Sequence, residues 1–285
     1  MRSGATSTSA RERRISAELP SALAGLAVAD PILEELHGRR AVVFLDYDGT
    51  LTPIVERPED ALLSEETRQA VRRLARRCPV AVVSGRGLDD VRGLVGIEEI
   101  YYAGSHGFRI AGPHGSRLTH DAGVRFVPAV ERAERALREA LGTIAGAQIE
   151  SKGVSVAVHC RRVAPDRRRE VEEAVRAVAG AHAGQLALTR GKMVFELRPD
   201  LDWHKGRAVT WLLEALDLDR PETLPIFVGD DTTDEDAFGA LEDRGLGILV
   251  RDERRPTTAR YALEDPLQVR LFIEALAAEL AGAGR

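Results

Sequence analysis

Lysine is nearly absent from this sequence, although basic residues are not. Only Lys152, Lys192 and Lys205 occur among the 40 lysines and arginines of the 285-residue chain. An ammonium is a compact point charge and a guanidinium is a planar fork, so the two are not interchangeable at a tight anion site. The three lysines are therefore candidate functional positions, and coding bias with chance survival is the alternative explanation.

Other absences exclude several classes of protein. The net charge of −5 gives no basic field that would recruit nucleic acid or anionic lipid. No apolar run approaches the roughly 20 residues that span a bilayer. Two cysteines, Cys78 and Cys160, make no disulfide framework. We expect a cytoplasmic, monomeric protein without nucleic-acid or membrane partners, and an N-terminal tail over residues 1–37 that is disordered in part.

The order of the apolar patterns predicts an α/β fold. Continuous apolar runs at residues 41–46, 80–83 and 225–229 are typical of parallel strands covered on both faces. Helical patterns between them predict a Rossmann-like, doubly wound parallel sheet. Strands and two helices between residues 109 and 202 predict an inserted α+β cap domain. The core domain is then expected to consist of residues 38–108 and 203–285.

Polar groups follow three of the predicted strands directly. They are Asp46-Tyr47-Asp48, Ser84-Gly85-Arg86 and Asp230-Asp231. Ligands of open α/β sheets lie outside the carboxyl ends of the strands, so these groups are expected to meet in one crevice. Each signal alone is weak, because a lone DxD also occurs in glycosyltransferase metal sites and in solvated turns.

The chemistry of these groups favours phosphoryl transfer. Clustered carboxylates cannot all ionise without a counter-charge, and carboxylate oxygens favour Mg²⁺. The Ser84 hydroxyl and the Lys205 ammonium suit phosphate oxygens, and one aspartate is then free to act as a nucleophile.

Four segments carry a resemblance to a known superfamily. DYDGT at 46–50, SGR at 84–86, Lys205 at the start of a helix and GDDTTDEDAF at 229–238 resemble the four motifs of haloacid dehalogenase-type phosphatases. The longer stretch LDYDGTLTPIVERPEDA and the cap inserted after the second motif are similar to trehalose-6-phosphate phosphatases in particular. The resemblance covers about residues 38 to 280.

The resemblance implies a role for each motif residue. Asp46 would attack phosphorus, and Asp48 would act as general acid and then as general base. As i and i+2 on a strand, both carboxylates are expected to share a face. Thr50, Ser84 and Lys205 would orient the phosphoryl group. The side chains of Asp46 and Asp230 and the Asp48 carbonyl would hold Mg²⁺, with further oxygens from Asp231 and Asp234.

The cap is expected to select the sugar. Segments of the same relatives that contact the sugar match Glu150, Lys152, Lys192 and Glu196, and the hinge loop Ser105-His106-Gly107 resembles a substrate-contacting loop. The alternative for the cap residues is a half-buried strand with a solvated charged face. For His106 the alternative is a loop histidine with satisfied hydrogen bonds.

Together these features predict a Mg²⁺-dependent phosphatase that hydrolyses trehalose 6-phosphate to trehalose and phosphate. A related phosphatase acting on a sucrose, mannosylglycerate or glucosylglycerate phosphate is the nearest alternative. A non-catalytic sugar-phosphate sensor is a second alternative, but a binding module has no need of a nucleophile. The intact set of Asp46, Asp48, Lys205 and Asp230 therefore favours the enzyme.

Overall fold

The structure, a computed structural model, describes residues 14–24, 31–116, 118–120, 122–191, 193–251 and 255–282. Lys192, one of the predicted sugar ligands, lies outside these residues. The helices are α1 (Pro31–Leu36), α2 (Glu65–Ala75), α3 (Leu88–Val95), α4 (Val127–Leu141), α5 (Arg168–Ala181), α6 (Lys205–Ala215), α7 (Glu235–Leu241) and α8 (Pro266–Gly282). The strands are β1 (Arg14–Ile15), β2 (Arg40–Leu45), β3 (Val80–Val83), β4 (Tyr101–Gly104), β5 (Arg109–Ala111), β6 (Thr119–His120), β7 (Gln148–Ser151), β8 (Val156–His159), β9 (Leu186–Gly191), β10 (Val194–Pro199), β11 (Thr223–Gly229), β12 (Leu246–Val250), β13 (Pro256–Thr257) and β14 (Tyr261–Leu263).

The larger sheet has eight strands in the order β14-β12-β11-β2-β3-β4-β5-β6. The pairs from β14 to β4 are parallel, and the pairs of β5 with β4 and β6 are antiparallel. The chain moves outward from β2 through β3 and β4 on one side, and from β11 through β12 and β14 on the other. The carboxyl end of β2 therefore lies at a topological switch point, where such sheets bind ligands.

Alternation along β2 explains why this strand is apolar on both faces. Val43 and Leu45 pack into the cluster that contains the buried faces of α2, α3 and α8. Val42 and Phe44 pack into a second cluster with α6 and α7. Helices thus cover both faces of the sheet, as a doubly wound fold requires, and the predicted α/β class is confirmed.

The smaller sheet has four strands in the order β7-β8-β10-β9, and its pairs are antiparallel. One face packs against α4 and α5, which contribute Leu137, Val171 and Val175 to a separate hydrophobic cluster. This part of the chain matches the predicted α+β insertion. The opposite face carries Glu150, His159 and Glu196 towards the larger sheet.

One detail differs from the expectations. Strands β5 and β6, which the predicted boundary at residue 109 placed in the cap, extend the larger sheet as far as His120. Within the predicted tail, the described residues include folded segments, and the expected partial disorder stays a prediction. Strand β1 pairs with β13, while Leu19 and Ala22 are buried. Such short segments give no periodic signal from which pairing is predicted.

In the described part of the chain, no helix combines the length and the apolar character needed to cross a bilayer.

Candidate active site

Three polar residues lie side by side at the carboxyl edge of the larger sheet. Strand β2 lies between β3 and β11, so Asp46 comes between Ser84 and Asp230. The Asp46 amide donates to the Val228 carbonyl at 2.9 Å, which continues the strand pairing to the acid itself. All three polar residues are buried. The polar groups that follow these three strands therefore lie next to one another, as the sequence predicted.

Lys205, the first residue of α6, lies between two of the acids. Its Nζ donates to Asp46 Oδ1 at 2.8 Å and to Asp234 Oδ1 at 2.6 Å, and the side chain is 3% exposed. Burial by itself would lower the pKa of Lys205, but the carboxylates of Asp234 and Asp46 raise it above the ordinary value. The ammonium therefore stays charged next to Asp46.

Asp46, Asp230 and Asp234 form a compact acidic cluster. One carboxylate oxygen from each lies within 4.8 Å of the others. Burial, opposed by Lys205, raises the pKa of Asp46, and burial together with Asp46 and Asp234 raises the pKa of Asp230. One lysine does not balance three buried carboxylates, so the cluster has the charge and the oxygen donors that suit a divalent cation.

The three acids are not equally available to a cation. Asp234 already accepts three hydrogen bonds, from Lys205 and from the amides of Asp230 and Asp231. Asp230 Oδ1 is buried and has no hydrogen-bond partner among the described residues. Such an orphaned oxygen is costly unless a ligand satisfies it. The donor set therefore fits a metal ion held mainly by Asp46 and Asp230, with Asp234 organising the loop.

Asp231 does not join this cluster. Its side chain is exposed and accepts from the Thr232 amide, in a reciprocal capping arrangement with Asp234 at the short turn of residues 232–234. Capping of this kind satisfies free amides at a helical start. The two acids that the sequence left equivalent are thus separated, with Asp234 inside the site and Asp231 at its rim.

Asp48 lies just beyond strand β2, which ends at Leu45. The expectation that Asp46 and Asp48 share a strand face therefore stays a prediction. The two oxygens of Asp48 accept from Arg86, Oδ2 from Nε and Oδ1 from Nη2, each at 2.7 Å. The sequence placed Arg86 in the motif Ser84-Gly85-Arg86 without giving it a role.

Thr50 and Ser84 are both buried near the acids. Thr50 Oγ1 has no hydrogen-bond partner among the described residues. Ser84 Oγ accepts from the amide of Arg86 at 3.1 Å, which leaves its proton available to another acceptor. Two hydroxyls with unused donor capacity beside a lysine are suited to an anionic ligand with several oxygens.

Glu196 is the most strongly held acid of the smaller sheet. It accepts from Ser155 Oγ at 2.6 Å, and Lys152 Nζ and His106 Nε2 lie 3.7 and 3.6 Å from its oxygens. Burial would raise the pKa of Glu196, but Lys152, His106 and Ser155 together hold it far below the usual range. The sequence predicted three of these four residues, and it missed Ser155.

Glu150 is paired with His159, a residue of the neighbouring strand β8. Its Oε2 lies 2.7 Å from His159 Nε2, on the same face of the smaller sheet. Burial opposes ionisation, but His159 and Lys152 lower the pKa of Glu150 below its ordinary value. The carboxylate and the imidazole on this face offer both acceptors and a donor to a polyhydroxyl ligand.

The loop of residues 105–107, expected at the hinge into the cap, connects β4 to β5 within the larger sheet and contacts the segment that follows β7. Ser105, His106 and Gly107 have φ values of 50°, 56° and 91°, a left-handed run that is costly for the first two residues. Ser105 Oγ donates to the Lys152 carbonyl at 3.3 Å. His106 reaches the cleft, whereas Ser105 and Gly107 are buried. Of the three predicted contacts, His106 is therefore the one that lines the cleft.

A cleft of about 1100 Å³ separates the two sheets. Asp48, Arg86 and Asp231 line it on one side, and Glu150 and Glu196 line it on the other. Pockets for small ligands commonly measure ~300–1000 Å³, so a disaccharide phosphate has ample room.

The comparisons with known proteins point to one family. The sequence model of the trehalose-phosphatase family matches residues 44–267. A trehalose-phosphate phosphatase from Mycobacterium bovis is 44% identical over 94% of this chain and 68% of its own length. The trehalose 6-phosphate phosphatase RA3 from Zea mays is 42% identical over 90% of this chain and 74% of its own length.

A solved structure agrees with these relatives. It is described as a trehalose-6-phosphate phosphatase related protein, and it is 25% identical to this chain with a TM-score of 0.74. The match covers 85% of this chain and 99% of that protein. On the family match and the two relatives, this chain belongs to the trehalose-phosphatase family.

Proposed function

We propose that the protein is a Mg²⁺-dependent phosphatase that hydrolyses trehalose 6-phosphate to trehalose and phosphate through an aspartyl-phosphate. The observation that carries this proposal is the buried Asp46, with Lys205 at 2.8 Å, at the switch point of the sheet in a member of the trehalose-phosphatase family. A nucleophile beside a fixed cation, with Asp48 two residues further on at the edge of a polar cleft, suits a phosphate monoester of a sugar.

The first step forms a bond between an Asp46 oxygen and phosphorus as the bond from phosphorus to the sugar oxygen breaks. The electron pair of that bond leaves with the sugar oxygen, which takes a proton from Asp48. Lys205 and the hydroxyls of Thr50 and Ser84 balance and orient the negative phosphoryl oxygens. Trehalose then leaves the cleft.

The second step hydrolyses the aspartyl-phosphate. Asp48, now a carboxylate, takes a proton from a water molecule as the water oxygen attacks phosphorus. The bond between phosphorus and Asp46 breaks, and phosphate and the free Asp46 carboxylate result. One residue that serves as acid and then as base returns the site to its starting protonation state.

A Mg²⁺ ion would be held by Asp46 and Asp230, with the Asp48 carbonyl and the organising Asp234 nearby. The orphaned Asp230 Oδ1 and the raised pKa values of Asp46 and Asp230 favour a cation at this place. When bound, the ion would neutralise the negative charge of the carboxylates and the phosphoryl group.

The smaller sheet is proposed to be a cap domain that selects the sugar. Glu150, Lys152 and Glu196 would bond to sugar hydroxyls, with His106 from the hinge loop and Lys192, which lies outside the described residues. The pairing of β5 and β6 favours a first domain boundary near residue 121 instead of 109. The cytoplasmic location and the monomeric state expected from the sequence stay predictions.

A phosphate-release panel tests the proposal. The purified chain is assayed on trehalose 6-phosphate and on sucrose, mannosylglycerate and glucosylglycerate phosphates, after chelation with EDTA and after restoration with Mg²⁺ or Ca²⁺. We expect turnover of trehalose 6-phosphate in Mg²⁺ and little in Ca²⁺, because calcium accepts looser and higher coordination. Preference for another sugar phosphate would favour a related phosphatase. Binding of trehalose 6-phosphate without turnover would favour a sensor.

A further inference from the structure

Asp48 is held by a rigid fork of hydrogen bonds. Its side chain is 41% exposed at the edge of the cleft, where a short acidic side chain would otherwise adopt several rotamers. The Nε and Nη2 groups of Arg86 bind both of its oxygens, each at 2.7 Å. A bidentate pair of this kind fixes the plane of a carboxylate as well as its position.

Arg86 is itself fixed by contacts that do not involve Asp48. Its Nη2 also donates to the Pro58 carbonyl at 2.8 Å, and its Nη1 donates to Asp90 Oδ2 at 3.1 Å. The guanidinium carbon lies 5.3 Å from the centroid of the Tyr47 ring, and the side chain is 9% exposed. The guanidinium is therefore a preformed support and does not depend on Asp48 for its place.

The pair leaves part of each Asp48 oxygen free. A carboxylate has about four acceptor positions on its two oxygens, and a guanidinium fork uses one on each oxygen. The remaining position on either oxygen is open to a hydrogen bond with a substrate oxygen or a water molecule. Arg86 can thus hold Asp48 in one orientation through both steps of the reaction.

We propose that Arg86 is the positioning residue that orients Asp48 for both proton transfers. The inference rests on the proposed function, in which Asp48 protonates the sugar oxygen and then deprotonates water. Loss of the fork should therefore slow the steps that need a proton transfer. It should spare the attack of Asp46 on a substrate whose leaving group needs no proton.

Transient kinetics with 4-nitrophenyl phosphate separates these steps, because 4-nitrophenolate leaves without protonation. For Arg86→Gln we expect rapid 4-nitrophenolate release within about threefold of the wild-type rate. Steady-state turnover should fall roughly 10- to 100-fold, because a misoriented Asp48 loses part of the rate enhancement that general acid–base catalysis usually provides. A burst of one 4-nitrophenolate per active site then becomes visible. With trehalose 6-phosphate, the first turnover should slow as well.

Two further variants isolate the fork from the charge. Arg86→Lys keeps a cation but not the bidentate geometry, so it should behave like Arg86→Gln. Arg92→Gln is the matched control, because Arg92 also lies over a tyrosine ring, that of Tyr102 at 6.0 Å, but has no role in the proposed reaction. Arg92→Gln should leave both the rapid release of 4-nitrophenolate and the steady-state turnover unchanged.

The outcomes are distinguishable. An equal loss in the burst and in the steady state would mean that Arg86 only supports the phosphoryl site, and this would overturn the inference. Full activity of Arg86→Gln or of Arg86→Lys would overturn it as well. If Arg86→Gln does not fold, Asp90→Asn is the substitute, because it weakens a contact that holds Arg86 in place. We then expect a loss of about two- to fivefold in steady-state turnover, with the rapid release of 4-nitrophenolate retained. A wild-type chain inactive on both substrates would instead contradict the proposed function.

Discussion

Replacing Glu196 by glutamine should separate sugar recognition from the chemical steps. Glu196 is 12% exposed and accepts from Ser155, with Lys152 and His106 beside it. The amide keeps the size of the side chain but removes the charge that these partners stabilise. A hydrogen bond to a charged group contributes ~1.5–3 kcal/mol, which corresponds to a loss of about 10- to 150-fold in kcat/KM.

The assay compares two substrates on the same variant. We expect kcat/KM for trehalose 6-phosphate to fall by this factor, whereas 4-nitrophenyl phosphate, which is too small to contact the cap, should change little. Glu173→Gln is the control, because Glu173 makes an exposed pair with Arg169 on α5. Thermal unfolding of each variant shows whether the fold is retained. Equal losses on both substrates would remove Glu196 from the sugar site.

Two other substitutions test the tight geometry of the acids. Lys205→Arg should reduce turnover of every substrate by ~100-fold or more, because a longer, planar guanidinium does not fit between Asp46 and Asp234. Lys152→Arg, in contrast, should reduce only the turnover of trehalose 6-phosphate. Two silent variants in phosphate-release assays would reduce the lysine scarcity to coding bias. Gly49→Ala should abolish turnover, because the φ of Gly49 is +78° and a Cβ there would overlap the Asp230 side chain. Gly38→Ala is the control: its φ is +72°, but a Cβ there would meet open space, so the variant should remain active. Equal activity of the two alanine variants would contradict the close approach.

The sequence was sufficient for the parts of the site that depend on residue type at strand ends. Asp46, Ser84 and Asp230 each follow a continuous apolar run, and parallel pairing of those runs brings the three residues together. Lys205 was predicted from its place at the start of a helix and from the rarity of lysine. These signals are local, so a single sequence contains them.

Contacts set by side-chain direction and by distant pairing were not predictable in this way. The fork between Arg86 and Asp48 joins residues 38 positions apart and depends on a turn that begins where β2 ends. The stacking of His120 on Trp203, with ring centroids 4.3 Å apart, likewise depends on how the two connections to the insertion run side by side. No periodicity in the sequence encodes such contacts.

Strands β1 and β9 were not predicted, for a related reason. Strand β1 has two residues, and it is stabilised by pairing with β13 and by the burial of Leu19. Strand β9 carries mixed polar and apolar residues, because one face packs on α5 while the other lies towards the cleft. In both cases the tertiary partner decides the structure and the local sequence does not.

The most direct test of the central claim is to trap the phosphorylated enzyme. The wild-type chain is mixed with trehalose 6-phosphate and Mg²⁺, quenched in acid within one turnover, digested and analysed by mass spectrometry. The account predicts one added phosphoryl group on the peptide that contains Asp46, and none on the Asp46→Asn variant, which should also release no phosphate. Turnover of trehalose 6-phosphate by Asp46→Asn, or a phosphoryl group on another residue, would contradict it.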